Sequence, residues 1–226
     1  MKLTLIGKKP EVSNVTSFTF HPDEPFDWQA GQYLHYVFEH ADADDRGFER
    51  YFTIASAPFE KEILITTRTT SERGSSFKKA LAAAPIGTEL EADGPKGEFV
   101  IDDEPAHHIL IAGGIGVTPY RAMLLQLDRD NKDLKIDLLY LNDMPELVFG
   151  DVFHVLEARR PNFHIHEFIG RRLNKADLKP FLAKDKTSTT IFYLSGPRGM
   201  VEAYQGLLLE LGVRPEHIKT DYFPGY

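Results

Sequence analysis

The sequence contains no cysteine. That absence removes disulfides, thiolate zinc sites, a catalytic thiol and cysteine-held iron–sulfur clusters together, and it fits a reducing cytoplasm. A cationic excess is also missing. Lys and Arg number 26 against 34 Asp and Glu, a formal charge of −8, so no surface that tracks nucleic-acid phosphates is expected. Long apolar runs are lacking too. The longest, such as LLYL at 138–141, are strand-sized, which leaves no membrane span, and the N-terminal MKLTLIGKKPEV lacks the apolar run of an export signal. No internal repeat or low-complexity linker interrupts the chain.

What is present divides in two. At 226 residues the chain is long enough for two domains, each of about 100 residues. The first hundred residues read as short strands between turn residues: VTSFTF (15–20), YLHYVF (33–38), EILITTRT (62–69) and TELEADGP (88–95). They predict an antiparallel β-barrel, interrupted by one helix at FKKALAAA that a serine of Gly74-Ser75-Ser76 caps. After DDEPA (102–106) the rhythm changes. Continuous apolar strands (HHILIAGG, KIDLLYLND, NFHIHEFI, TTIFYLSG) alternate with helical stretches (YRAMLLQLDRD, LVFGDVFHVLEARR, MVEAYQGLLLELG), which predicts an α/β domain with a parallel sheet covered on both faces. The domains are therefore expected at 1–101 and 102–226.

Four short stretches carry chemistry. RYFTIAS (50–56) sets a fixed cation, two rings and a hydroxyl on one strand, and RGSSF (73–77) opens a helix whose free N–H groups suit a diphosphate that Arg50 can clamp. IAGGIGVTP (111–119) and LSGPRGM (194–200) are glycine turns between an apolar strand and a helix, placed to line the crevice at the carboxyl ends of a parallel sheet. The first is not the GxGxxG spacing of the ordinary dinucleotide fingerprint. After LLYL, Asn142 and Asp143 offer a polar group and an anion where a 2′-phosphate would need cations, which favours NADH, although Arg171, Arg172 and Arg198 could still approach a phosphate. His107, His108, His164 and His166 read as surface or hydrogen-bonded histidines and TSTT (187–190) as a polar turn. The acidic run DADD (42–45) reads as a solvated loop.

In this order the motifs resemble the ferredoxin-NADP reductase superfamily over essentially the whole chain, in the form of a stand-alone reductase without an iron–sulfur domain. Arg50, Tyr51, Phe52 and Thr53 match its Arg-x-Tyr-Ser/Thr. Gly74, Ser75 and Ser76 match its phosphate turn, and GPKGEF (94–99) its Gly-Pro-x-Gly-x-Phe. GGIGVTP and SGPRGM match its nicotinamide motifs, and DYFPGY its aromatic end.

The resemblance implies an FAD-binding barrel and an NAD(P)-binding domain, with hydride passing from NAD(P)H to FAD. Electrons then go to a separate acceptor: a ferredoxin, an oxygenase component, a haem protein or a quinone. It implies that Arg50 and Gly74 to Ser76 hold the FAD pyrophosphate, that Phe52 packs on the isoalloxazine beside Tyr51, and that Thr53 bonds near its reactive nitrogen. Thr67 and Arg68, at the end of EILITTRT, join this set. Gly113, Gly114, Gly116, Thr118, Asn142, Gly196 and Pro197 would serve the nicotinamide nucleotide, and Phe223 and Tyr226 would cover the flavin. Thr53, Ser195 and Asp221 are the candidate catalytic residues. Three positions depart from the family: Phe52 stands for tyrosine, Ser195 for a common cysteine, and Asp221 for a frequent glutamate. A flavin reductase with diffusible flavin and a non-catalytic nucleotide-binding subunit stay open beside the reductase reading.

Overall fold

Stretches of the N-terminal strands alternate apolar with polar residues, and the apolar ones form one core. In a computed structural model describing residues 1–69, 74–102, 106–182 and 189–223, Leu3 and Leu5 come from β1 (Lys2–Val12) and Phe18 and Phe20 from β2 (Val15–Pro22). Leu34 and Tyr36 come from β3 (Tyr33–Val37). After the short strand β4 (Glu49–Thr53), β5 (Ile63–Arg68) adds Ile63 and Ile65. Helix α1 (Ser76–Ala83) adds Phe77 and Leu81, and β6 (Glu89–Lys96) adds Leu90 and Ala92. This is the period-two pattern of a sheet with one buried face. The strands pair antiparallel in the order β4-β3-β6-β1-β2-β5 and curl into a half-barrel. β1 pairs with both β2 and β6 and breaks register after Leu5 and after Pro10.

The later strands are buried along nearly their whole length. β7 (His107–Gly113), β8 (Lys135–Asn142) and β10 (Thr190–Pro197) form the middle of a parallel five-stranded sheet ordered β11-β10-β7-β8-β9. The edges are β9 (Phe163–Ile169) and β11 (Ile218–Phe223). Four helices occupy the connections: α2 (Thr118–Arg129), α3 (Gly150–Arg159), α4 (Lys175–Leu178) and α5 (Arg198–Glu210). Near the start of these strands His107 Nε2 and His166 Nε2 each hydrogen-bond one carboxylate oxygen of buried Asp137, at 2.5 and 2.6 Å.

The structure separates into two units. One comprises Met1–Val100 together with α2, and the other comprises Ile101–Val117 and the described residues from Asp130 onward. The segment DDEPA falls mostly on 103–105, and TSTT partly on 187–188, outside the described residues. Among the described residues no helix is long and apolar enough to cross a membrane.

Candidate functional site

Strand alternation decides which residues of RYFTIAS can act together. Arg50 and Phe52 share one face of β4, whereas Tyr51 and Thr53 lie on the other. On the first face Phe77, in the first turn of α1, joins them: its ring lies 5.7 Å from the Phe52 ring and 5.7 Å from the Arg50 Cζ. Tyr36 packs on Phe52 at 5.8 Å. The strand cation, the half-buried Phe52 ring and the start of α1 are thus one patch. On the opposite face Tyr51 is 55 % exposed and stacks on His35 at 4.7 Å, while Thr53 is buried.

The α1 start is built as sequence reasoning expects. Ser75 is the N-cap, and its Oγ accepts from Lys78 N at 3.4 Å. Ser76 N donates to Asp44 Oδ2 at 2.8 Å, and Ser76 Oγ accepts from Asp44 N at 3.0 Å. The acidic run is therefore not wholly a solvated loop. Asp42, Ala43 and Asp45 are exposed, but Asp44 turns inward because the helix N-terminus and two arginines attract its charge. Arg46 above all, then the Ser76 N–H, holds its carboxyl well below the ordinary carboxylate range.

Arg50 Nη1 donates to the carbonyls of Arg46 (2.7 Å), Gly47 (3.3 Å) and Glu49, so the clamp residue also ties down its own loop. Lys78 completes a cationic cluster. Burial first, then the charges of Arg50, Arg68 and Arg46, push its ammonium down to about 8. Asp44, Arg46 and Lys78 were not legible as site residues. Their only signal is charge placed near a helix start that the fold brings together. Thr67, at the end of β5, is buried, and its Oγ1 has no hydrogen-bond partner among the described residues.

In the second unit the two glycine turns meet. The strand order reverses between β7 and β10, the switch point where open α/β sheets bind ligands. A Cβ on Gly116 would stand 2.3 Å from Ser195 O, and one on Gly113 would stand 2.3 Å from Met200 Sδ. Gly196, at φ +151°, lies against Gly113 with 3.2 Å between its Cβ position and Gly113 Cα. Gly116 is thus required by the packing of one turn on the other, Gly113 has the Met200 side chain against it, and Gly196 is favoured by its positive φ. A short 3-10 turn (Gly114–Val117) leads from β7 into α2, where Thr118 is buried.

Ser195 is fully buried beside Ala112 and Asp221 in register, and its Oγ has no partner among the described residues. Burial pushes the Asp221 carboxyl up to about 6. Asn142 Nδ2 is spent on its own loop, donating to Met144 O at 2.8 Å and Glu146 O at 2.9 Å. Arg171 makes a two-pronged pair with Asp177 (2.9 and 2.9 Å) and lies 4.5 Å over Phe168, and Arg198 Nε donates to Glu202 at 2.7 Å. Exposed Pro197 pairs with Phe223 in register, while the Phe223 side chain and Tyr226 lie outside the described residues.

A curled antiparallel half-barrel followed by a parallel sheet with glycine turns at its switch point is a fold shared with solved FAD- and nicotinamide-binding domains. Its solved counterparts agree. The FAD/NAD-binding domain of nitric oxide dioxygenase from Vibrio cholerae superposes with a TM-score of 0.83 at 23 % identity over 98 % of both chains. A ferredoxin NADP+ reductase from Neisseria gonorrhoeae, with bound FAD and NADP, superposes at 0.81 with 18 % identity over 98 % of both. In sequence the chain is 27 % identical over 233 residues to a flavohemoprotein of Xylella fastidiosa, covering 97 % of this chain and 58 % of that protein. It thus spans a little over half the length of that relative. No family model matches the chain. Its fold is that of the ferredoxin-NADP reductase superfamily.

Proposed function

We propose that the chain is an NAD(P)H-dependent flavoprotein reductase, with FAD in the first unit and the nicotinamide nucleotide in the second. The observation that supports this reading is the shared patch of Arg50, Phe52 and the α1 N-terminus, which brings together a cation, a ring and the N–H groups of a helix start, one of them taken by Asp44. When bound, FAD supplies the redox chemistry, taking hydride from the nicotinamide and giving electrons to an acceptor. The residues bind and orient. Arg50 with Ser75 and Ser76 fixes the diphosphate, Phe52 gives the ring an apolar wall, and the buried Thr67 hydroxyl, with no partner among the described residues, can bond a ligand. Ser195 and Asp221 offer a hydroxyl and a carboxyl that holds a proton up to about pH 6 at the nicotinamide side. Commitment of Asn142, Arg171 and Arg198 to protein partners leaves little for a 2′-phosphate and supports NADH. We place the protein in the cytoplasm because it has no cysteine, and a haem protein among its acceptors because its flavohemoprotein relative is named for one.

The test is anaerobic titration of the FAD-loaded protein with NADH and with NADPH. Bleaching of the flavin bands, at lower NADH than NADPH, is the expected outcome. Arg50→Ala should weaken FAD binding by about tenfold or more. Wild-type protein that takes up no FAD, or bound FAD that neither nucleotide bleaches, would refute the reading. A flavin reductase that exchanges FAD as a substrate is the second reading. It is favoured by the carboxylate of Asp44, which already sits on the Ser76 N–H.

A further inference from the structure

We propose that Asp44 is a built-in competitor for the FAD diphosphate: its carboxylate holds the anion position formed by the first turn of α1, Arg46 and Arg50, and must leave before a cofactor is seated. The inference rests on the flavin reading above. Asp44 Oδ1 accepts from Arg46 N (3.1 Å) and lies 3.5 Å from Arg50 Nη2. Its Oδ2 accepts from Arg46 Nη2 (2.6 Å), Arg46 Nε (3.2 Å) and Ser76 N (2.8 Å). A two-pronged arginine and a helix N–H converging on one pair of oxygens is the donor set that a phosphate group recruits. Carboxylate and diphosphate cannot both hold it.

Lys78 adds to the same cationic cluster, its ammonium lowered to about 8 by burial first and then by Arg50, Arg68 and Arg46. The loop can also yield. Residues 41–46 are exposed apart from Asp44, and the loop is bracketed by left-handed Asp42 (φ 56°) and Gly47 (φ 65°). Its tethers include the bonds from Arg50 to the carbonyls of Arg46, Gly47 and Glu49. Turning Arg50 toward a diphosphate releases those tethers, so cofactor entry and loop release are one event. FAD affinity is then lowered by the fraction of molecules in which Asp44 holds the seat.

The experiment is an equilibrium titration of flavin-free protein with FAD, followed by fluorescence quenching, for wild type, Asp44→Asn and Asp44→Ala, with ADP and adenosine as further probes. The expected result is tighter FAD and ADP binding by about tenfold in both variants, with adenosine binding unchanged because it brings no diphosphate. The flavin-free variants should also melt below wild type, since the cations lose their internal anion. Wild type that binds FAD with variants that bind it equally or more weakly would overturn the competitor and leave the flavin reading standing. Failure of all three proteins to bind FAD would overturn both.

Discussion

The carboxyl of Asp221 stands opposite Ser195 on neighbouring parallel strands, so both project from one face of the sheet. Ordinary ionisation lies at 3.8, and burial lifts it to about 6. The sign of the effect on stability follows. Between those values the folded chain keeps a proton that the unfolded chain has released, so stability falls as pH rises through the window, and the full penalty applies above about 6. Asp221→Asn removes the penalty without changing shape. The variant should gain about 2 kcal/mol over wild type at neutral pH, with the gain vanishing near about pH 4. Denaturant melts at the two pH values check this, and an equal difference at both would show that the carboxyl is not held up by burial. Asp44 is the opposite case at the same scale, a carboxylate that arginine and helix N–H groups keep ionised.

Among the elements, the strand-to-helix turn at Gly116 tolerates little change. Gly116→Ala would drive a methyl to within 2.3 Å of Ser195 O and 2.6 Å of the Gly196 Cα, backbone atoms that cannot swing aside. Loss of at least about 3 kcal/mol is expected. Gly206, inside α5, has nothing within 4 Å of its Cβ position, so Gly206→Ala should instead stabilise by about 0.5–1 kcal/mol through helix propensity. Thermal melts of the pair decide whether the glycine turns are packing devices. The contrast explains what sequence can tell. β7, β8 and β10 are continuous apolar runs, and their turns announce themselves through clustered glycine, so the α/β half is readable. β1 is not: beyond Leu3 and Leu5 it carries Lys8, Lys9 and Pro10, and its strand character comes from pairing with β2 and with β6, nearly ninety residues away. Asp44 escapes for the same reason, since only the tertiary fold brings a loop aspartate to a helix start thirty-two residues on.

At the scale of the molecule, chain order and compact unit part company at α2. The helix lies between β7 and β8 in sequence, yet it belongs with the N-terminal half. Its ties there are specific. Arg121 Nη1 donates to Ala55 O at 2.8 Å, and its guanidinium pairs with both Glu60 oxygens at 2.8 and 2.9 Å, largely out of water. Glu60 also accepts from Ala57 N at 2.7 Å, so the helix is fastened to the short turn that ends RYFTIAS. Met123 fills the space over Gly31, where even a Cβ would come within 2.4 Å. Arg121→Ala strands a buried carbonyl and a half-buried carboxylate, for an expected cost of about 2 kcal/mol. The cost should couple to Glu60→Gln by about 1 kcal/mol in a double-mutant cycle. Hydrogen exchange locates it: protection should fall in residues 55–61 and in α2 before it falls in β7, β8 or β10. Loss that begins in the parallel sheet would mean that α2 is stabilised by its sequence neighbours, not by the half-barrel.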